Sequence, residues 1–216
     1  MDRKSCIFDM DGTLVDSMGY WRNLSRNFLR QKGVLGPIND VLELAKPLPL
    51  IDSTRLFIER FGLAGTPEDM AAEMSAVMKQ HYLHDVSLKS GAGEYLEKLK
   101  RDGIKMCVVT ATPSKLVEAC LSHLNLLHYF EFFLSCDEVG VGKNHPDAFL
   151  EAARRFNVPP IDVAVFEDSL QAAETAMKAG FYTIGVYDKH SVEYWNSLSS
   201  IANETIVDWN VAIKNL

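Results

Sequence analysis

Two aspartates near the N-terminus, Asp9 and Asp11, stand one residue apart, immediately before Gly12. They follow the apolar run Cys6-Ile7-Phe8, which is too short for a helix and is typical of a buried strand. Because side chains at i and i+2 of an extended chain point to the same side, both carboxylates are predicted to share one face at the carboxyl end of that strand. A strand ending in an Asx-type turn explains the same motif, so its interpretation depends on the rest of the chain.

A second acidic pair, Glu167 and Asp168, directly follows the apolar run Val163-Ala164-Val165-Phe166. This run is also typical of a buried strand, and only Ser169 is available locally to explain two adjacent acids at its end. Open α/β sheets bind ligands outside the carboxyl ends of their strands, and in the strand order 3-2-1-4-5 the first strand lies beside the second and the fourth. The two acidic pairs are therefore predicted to meet at one edge of the sheet.

Four carboxylates at one place repel one another unless positive charge lies among them. Lys143, in a loop, supplies one positive charge, which is too little for four acids. Ligands that are all oxygen, without histidine or cysteine, favour a hard cation, Mg²⁺ before Ca²⁺. The sequence therefore predicts a metal site among the acids.

The segment Thr110-Ala111-Thr112-Pro113 leaves one strand and enters a helix whose first turn is predicted to contain Pro113. A hydroxyl group and free backbone amides at a helix N-terminus can hold a phosphate group. Thr112 acting as a plain helix cap, with Thr110 ending the strand, explains the same residues equally well. The segment alone leaves both interpretations open.

These residues depend on a predicted α/β core formed by residues 1–15 and 88–216, in which strands alternate with helices. Such alternation predicts βαβ units and a Rossmann-like, doubly wound parallel sheet that helices cover on both faces. The last strand is predicted at Thr205-Ile206-Val207.

Residues 16–87 contain no convincing strand and are predicted to form an inserted, all-helical cap domain. Asp52-Ser53-Thr54 is predicted to cap one helix, and Thr66-Pro67 indicates the start of another because it combines a capping side chain with a proline at the first helical position. The block lies between the first strand and the remaining sheet, so the chain crosses between the two domains twice. Residues 14–17 and 86–90 are the predicted hinges.

Composition restricts the classes of function. The chain has 216 residues and a formal net charge of -7, which favours neither a nucleic acid nor an anionic membrane as partner. No apolar run approaches the roughly 18 residues of a membrane span, and the first apolar run is too short for a signal peptide. The four cysteines are scattered, without a Cys-x-x-Cys pair, which indicates small buried side chains in a reducing compartment and predicts a cytoplasmic location.

Together, the marked residues resemble the four motifs of the haloacid dehalogenase-like (HAD) superfamily. The motifs are, in order, Asp9-Met10-Asp11-Gly12-Thr13, Thr110, Lys143 and Glu167-Asp168. The stretch around Lys143, from Gly142 to Phe149, is similar to the third motif of the phosphatases that carry a helical cap after the first strand. The cap itself matches that branch only in position and helical character.

The resemblance implies a Mg²⁺-dependent phosphatase that hydrolyses a small phosphorylated metabolite through an aspartyl-phosphate intermediate. Asp9 would be the nucleophile, and Asp11 would be the general acid and then the general base. Mg²⁺ would be held by the Asp9 carboxylate, the Asp11 backbone carbonyl and Asp168, with Glu167 supporting the site. The groups implied to hold the phosphoryl oxygens are Thr110, the Ala111 amide and Lys143.

The main alternative is a β-phosphoglucomutase of the same superfamily. By resemblance, that branch usually has valine at the position of Thr13, histidine at the position of Trp21 and a Gly-x-Ser-Arg stretch in the cap that is not found here. These departures favour hydrolysis over return of the phosphoryl group. A non-catalytic phosphate-binding or receiver-like regulatory protein is a third possibility, although receiver domains are shorter and lack a cap.

Substrate choice is expected to depend on the cap, because the core motifs handle only the phosphoryl group. The candidate contacts are Trp21, Arg22, Lys46 and Arg55. The ordinary interpretation places Trp21 in the apolar core of the cap and the three cations on its surface.

Overall fold

The structure, a computed structural model, describes residues 3–45 and 48–215 of the chain. The strands in these residues are β1 (Ser5–Phe8), β2 (Lys105–Thr110), β3 (Phe132–Ser135), β4 (Val163–Glu167), β5 (Tyr182–Val186) and β6 (Glu204–Ile206). All six are parallel to their neighbours and form one sheet in the order β3-β2-β1-β4-β5-β6. This sheet confirms the predicted doubly wound α/β fold.

Helices pack on both faces of this sheet. Those that follow the inserted block are α5 (Ala92–Arg101), α6 (Ser114–His123), α7 (Cys136–Val139), α8 (Asp147–Phe156), α9 (Leu170–Lys178), α10 (Trp195–Ile201) and α11 (Trp209–Ala212). Apolar residues of α5, α6 and α11 form one core cluster with the sheet, and those of α8 and α9 form a second. No helix in the described ranges combines the length and the apolar character that crossing a membrane requires.

The central strand β1 is buried along its whole length, and its alternate side chains supply both cores. Ile7 belongs to the cluster with α8 and α9, whereas Phe8 belongs to the cluster on the other face. Phe8 is aligned with Val108 of β2 and with Phe166 of β4, and its ring stacks on Phe166 at a centroid distance of 4.3 Å. The carboxyl end of β1 therefore lies directly beside those of β2 and β4.

Four helices of the inserted block lie between β1 and α5 along the chain: α1 (Met18–Gln31), α2 (Asn39–Ala45), α3 (Leu50–Phe61) and α4 (Pro67–His84). They share their own apolar cluster, which includes Leu29, Phe57 and Met74. One end of α4 also packs on α6 of the core, since Met78 and Tyr82 join the cluster of the sheet. The division of the chain at residues 16 and 87 stays a prediction.

Several predicted boundaries differ from the structure by a few residues. Helix α3 begins at Leu50, after Pro49, so Asp52-Ser53-Thr54 does not cap it. The Ser53 hydroxyl instead lies within hydrogen-bonding distance of the carbonyl oxygens of Ala45 and Pro49, at 3.1 and 3.2 Å. By contrast, Thr66 caps α4 as predicted, accepting the Asp69 N–H at 3.1 Å. Strand β6 begins and ends one residue earlier than expected.

The two segments that join the helical block to the sheet pair with each other. The Asp16 N–H donates to the Ser87 carbonyl at 2.9 Å, and the Lys89 N–H donates to the Leu14 carbonyl at 2.8 Å. Val15 forms an antiparallel bridge with Leu88 between them. A paired ribbon therefore connects the cap helices to the sheet, at the positions predicted to be hinges.

Candidate active site

Asp9 lies just beyond the end of β1 and is almost completely buried. Its N–H donates to the Phe166 carbonyl at 2.9 Å, so the backbone pairing of the sheet fixes its position. The turn that follows requires Gly12, whose φ is +87°. A Cβ atom at this position would approach Asp168 Oδ2 to 2.6 Å, and therefore only glycine lets the turn pack against that carboxylate.

Lys143 lies in a buried position between Asp9 and Glu167. Its Nζ donates to Asp9 Oδ1 at 2.5 Å and also to Glu167 Oε1. Burial opposes the charge on this lysine, but the two carboxylates outweigh burial and raise the pKa of Lys143. The second oxygen of Glu167 accepts the Ser169 N–H at 2.9 Å. Glu167 thus holds Lys143 against Asp9, which is a clearer role than the sequence alone assigned to it.

The same acids leave space for a cation. Asp9, Glu167 and Asp168 each offer a carboxylate oxygen, and these three oxygens lie within 4.8 Å of one another. Asp9 Oδ2 is buried without a hydrogen-bond partner among the described residues. Burial raises the pKa of Asp9 well above its ordinary value; Lys143 opposes this shift, and the neighbouring acids add to it. A buried, unpartnered oxygen in a set of carboxylates fits a hard divalent cation, which would keep Asp9 ionised.

Asp11 is surrounded by hydroxyl and indole donors from both parts of the molecule. Its Oδ1 accepts the hydroxyls of Ser17 and Tyr82, each at 2.5 Å, and the Trp21 indole N–H at 3.2 Å. Its Oδ2 accepts the Thr112 hydroxyl at 2.7 Å. The Asp11 carboxylate is therefore held in one orientation by donors from helix α1 and the residue before it, from helix α4, and from the end of β2.

Tyr82, like Ser17, is a member of this network that sequence reasoning missed. It is fully buried, and burial together with the nearby Asp11 carboxylate raises its pKa well above the ordinary value. Its position carried a usable signal, because it continues the i, i+4 series of buried residues Met70, Met74 and Met78 on α4. A polar hydroxyl at the end of an apolar stripe indicates a buried partner.

The structure at the end of β2 excludes one interpretation of Thr112, that of a plain helix cap. Helix α6 begins at Ser114 with Pro113 before it, so Pro113 is not in the first turn and Thr112 does not cap the helix. The Thr112 N–H instead donates to Thr110 Oγ1 at 3.1 Å, and its hydroxyl points to Asp11. Thr110 and Ala111 line the same cavity as Asp9.

This cavity has a volume of about 110 Å³ and lies between the sheet and the helical block. The predicted core residues that line it are Asp9, Asp11, Thr110, Ala111, Lys143, Glu167 and Asp168. On the opposite side, Trp21 and Arg22 of α1 line it as well. The structure thus brings the marked strand ends and two of the candidate cap residues around one space.

One candidate cap residue, Arg55, is not brought to the cavity. Arg55 is largely exposed and pairs with Asp52 on the surface of α3, because the cavity faces a different side of that helix, the one carrying Leu50, Ser53 and Phe57. The prediction that Arg55 contacts the substrate is therefore corrected, because its place on α3 is away from the cavity. Lys46 lies outside the described residues.

Comparison with known proteins identifies relatives over most of the chain. The model of the haloacid dehalogenase-like hydrolases matches residues 4–180. A fructose-1-phosphate phosphatase of Escherichia coli (strain K12) is 30% identical, over 83% of this chain and 94% of its own. A probable pseudouridine-5'-phosphatase of Drosophila melanogaster is 31% identical, over 85% of this chain and 81% of its own.

Solved structures share the same fold. The crystal structure of a β-phosphoglucomutase from Clostridium difficile superposes with a TM-score of 0.80 at 22% identity, covering 99% of this chain and 96% of the other. At this identity the likeness concerns the arrangement of the sheet and helices, and the chemistry must be argued from the residues of the site.

Proposed function

The chain belongs to the haloacid dehalogenase-like hydrolases, and we propose that it is a Mg²⁺-dependent phosphatase that hydrolyses a small phosphorylated metabolite through an aspartyl-phosphate. The observation that carries this proposal is the Asp9 carboxylate at the cavity: one oxygen is bound to Lys143, and the other is buried and has no hydrogen-bond partner in the described part of the chain. An anionic nucleophile beside a cation and a cation site can approach a phosphoryl group that it would otherwise repel.

The proposed reaction has two steps. A carboxylate oxygen of Asp9 attacks phosphorus, the bond from phosphorus to the ester oxygen breaks, and Asp11 gives a proton to the departing alcohol. Asp11 then takes a proton from water as that water attacks phosphorus, which releases phosphate and restores the Asp9 carboxylate. Hydrogen bonds from Ser17, Tyr82, Trp21 and Thr112 support this role because they hold Asp11 in place.

Phosphate and metal are assigned to groups around Asp9. We assign the phosphoryl oxygens to the Thr110 hydroxyl, the Ala111 N–H and Lys143. The residues assigned to hold Mg²⁺ are Asp9, Asp11 through its backbone carbonyl, and Asp168, with Glu167 in support. When bound, Mg²⁺ would act as a Lewis acid that offsets charge on the transferring group. The four cysteines are buried and form no disulfide among the described residues, which supports a reducing, cytoplasmic location.

Trp21 favours hydrolysis over the β-phosphoglucomutase alternative. Its indole N–H donates to both Asp11 and the Tyr82 hydroxyl, at 3.2 and 3.0 Å. An indole N–H is a donor only, so it cannot exchange protons as histidine can at the same position. Trp21 therefore orients Asp11 without taking part in a phosphoryl return.

The proposal is tested by measuring phosphate release from a panel of small metabolite phosphates, with Mg²⁺ and with a chelator. We expect Mg²⁺-dependent release from at least one ester. Consumption of a hexose 1-phosphate into an isomeric ester, without phosphate release, would favour the mutase. No turnover of any ester by a folded protein would contradict both enzymatic functions.

Replacing Tyr82 with phenylalanine should slow hydrolysis by an amount that depends on the leaving group of the ester. Without the hydroxyl that orients Asp11, kcat/KM on an alkyl phosphate, which reports the step that forms the aspartyl-phosphate, should fall by about tenfold or more, since a positioned acid contributes on the order of 10²-fold or more. p-Nitrophenyl phosphate, whose leaving group needs no proton, should lose much less. Steady-state kinetics on both esters measure the difference.

Tyr20→Phe is the matched control, because this cap tyrosine donates to the Asp85 carbonyl at 3.3 Å and does not contact Asp11. It should leave both esters nearly unchanged. Equal losses on the two esters for Tyr82→Phe would indicate a purely structural role for this residue.

A further inference from the structure

Lys89 lies in the ribbon that joins the helical block to the sheet, and the proposed reaction does not use it. Its Nζ donates to the Gly12 carbonyl and, at 2.9 Å, to the Tyr187 carbonyl. It also pairs with Asp188 Oδ2 at 2.9 Å. An ammonium group has three N–H donors, and here each has an acceptor. Lys89 therefore connects the ribbon, the turn after β1 and the loop of residues 187–191 that follows β5.

The loop after β5 is itself held by the core. The Tyr187 N–H donates to the Ile206 carbonyl at 2.8 Å, which continues the pairing of β5 with β6. Asp188 is almost completely buried, and its second carboxylate oxygen accepts the His190 N–H at 2.8 Å. Lys89 is therefore bound to a part of the core whose backbone is fixed by hydrogen bonds.

The Gly12 carbonyl that Lys89 binds belongs to the turn that carries groups assigned to Mg²⁺. The peptide unit that joins the Asp11 carbonyl to the Gly12 N–H is held as well, because this N–H donates to the Val15 carbonyl at 3.0 Å. The turn also packs against Asp168, whose Oδ2 would lie 2.6 Å from a Cβ atom on Gly12. A change in the tilt of this turn would therefore move one assigned metal ligand and disturb the packing of another.

The far end of the loop after β5 lies beside the same carboxylate. The Ser191 N–H donates to the Asp188 carbonyl at 3.0 Å, and Ser191 Oγ lies 3.5 Å from Asp168 Oδ2. The pair of Lys89 with Asp188 is thus connected to the acids of the site by two routes. One passes through the Gly12 turn, and the other passes through the loop.

We propose, resting on the proposed phosphatase function, that Lys89 and Asp188 are positioning residues that hold Asp11 and Asp168 in the geometry that binds Mg²⁺. Neither member of the pair lines the cavity, so the pair acts on the metal ligands through the groups between them. The two side chains are only 15% and 1% exposed, so salt and water screen their interaction little. Groups behind metal ligands orient them, and losing one typically lowers metal affinity about 10- to 100-fold.

Binding of Mn²⁺, used as a probe of the Mg²⁺ site, tests this proposal without turnover. The electron paramagnetic resonance signal of free Mn²⁺ falls as the ion binds, so a titration gives Kd. Lys89→Met keeps a side chain of similar size but removes all three hydrogen bonds, and Kd should rise about tenfold or more. Loss of a positive charge would by itself tighten cation binding, so a rise in Kd reports positioning.

Activity supplies a second readout that separates positioning of the metal ligands from a direct part in the reaction. Excess metal drives a binding equilibrium by mass action, so kcat of Lys89→Met on p-nitrophenyl phosphate should return to within about threefold of wild type at saturating Mg²⁺. Asp188→Asn leaves the two carbonyl acceptors of Lys89 in place and removes only the charge of its partner. It should raise Kd by a smaller factor than Lys89→Met.

The neighbouring pair of Lys189 with Asp16 is the matched control. The two residues belong to the same loop and to the other segment of the ribbon, and their side chains lie 2.8 Å apart but are 60% and 38% exposed. Lys189→Met and Asp16→Asn remove the same two charges without touching the Gly12 turn. Each should change Kd by no more than about twofold.

The outcomes distinguish this proposal from the general function. An unchanged or lower Kd in folded Lys89→Met, or a kcat that stays low at saturating Mg²⁺, would overturn the positioning role and leave the phosphatase intact. If Lys89→Met does not fold, Asp188→Asn decides, and a Kd no higher than that of Asp16→Asn would overturn the proposal, as would failure of both to fold. A wild-type protein that binds no Mn²⁺ would contradict the proposed metal site, and this proposal with it.

Discussion

Asp9→Asn is expected to lower kcat by at least about 10⁴-fold, the order of loss seen when an enzyme loses its nucleophile. An amide lacks the charge and the nucleophilic oxygen needed to attack phosphorus, and it is a poorer ligand for Mg²⁺. The substitution keeps the size of the side chain and removes one of the acids around Lys143. Phosphate release from the best ester of the panel, at saturating substrate and Mg²⁺, measures the effect.

Asp102→Asn serves as the matched control for this change. Asp102 pairs with Lys98 on the surface of α5, far in the fold from the carboxyl ends of the strands, and its loss should leave kcat within a factor of about two. Thermal unfolding of both variants shows whether the fold is retained. A folded Asp9→Asn protein with more than about a tenth of wild-type activity would rule out Asp9 as the nucleophile.

Lys143→Met should destabilise the metal-free protein by about 3 kcal/mol at pH 8, because removing one partner leaves buried carboxylates without their counter-charge. Lys143 Nζ contacts both Asp9 and Glu167 in a site closed to solvent. The variant should also lose most of its activity, since the lysine is assigned to the phosphoryl oxygens. Denaturant unfolding gives the free energy, and the panel ester gives the activity.

The loss of stability should grow with pH. Burial raises the pKa values of Asp9 and Glu167 in the folded protein, and Lys143 lowers both. An acid whose pKa is higher when folded binds protons that the unfolded chain releases, so the free energy of unfolding falls as pH rises through that window. Without Lys143 the pKa values of these acids in the folded protein rise further, so the pH window extends upward. The free energy of unfolding of Lys143→Met should therefore lie further below that of wild type at pH 8 than at pH 5.

Lys189→Met is the control for losing a lysine from an ion pair. Lys189 bonds Asp16 at 2.8 Å, but its side chain is 60% exposed, so the substitution should change the free energy of unfolding by no more than about 0.5 kcal/mol at either pH. A Lys143→Met protein as stable as this control would mean that the buried acids are protonated, and the assignment of Lys143 as their counter-charge would fail.

The sheet and its strand order were predictable because buried parallel strands are short, apolar and separated by helices. Asp9 and Asp168 are 159 positions apart, yet the order β2-β1-β4 brings their strand ends together. Which residues meet at the strand ends depends on the order of the strands in the sheet, and regular alternation of strands with helices along the chain predicts that order well. The family resemblance added the roles of these residues.

The side of the site formed by the cap was harder to predict, because it depends on how each helix is rotated. Arg55 and Phe57 are two positions apart on α3, but only Phe57 lines the cavity. Which side of a helix faces the site is decided by packing against α1, α2 and α4, which no local pattern records. The pairing of Arg22 with Glu43 across two helices arises in the same way.

The most direct test of the account is to trap the phosphoryl group on the enzyme. A single turnover of a radioactive phosphate ester, quenched in acid, should leave label on the peptide that contains Asp9, removable by hydroxylamine as expected for an acyl phosphate. Asp11→Asn should hold more label with p-nitrophenyl phosphate, because the water that hydrolyses the intermediate has lost its base. Phosphate formed at the full rate with no label on that peptide, in either protein, would contradict covalent catalysis by Asp9.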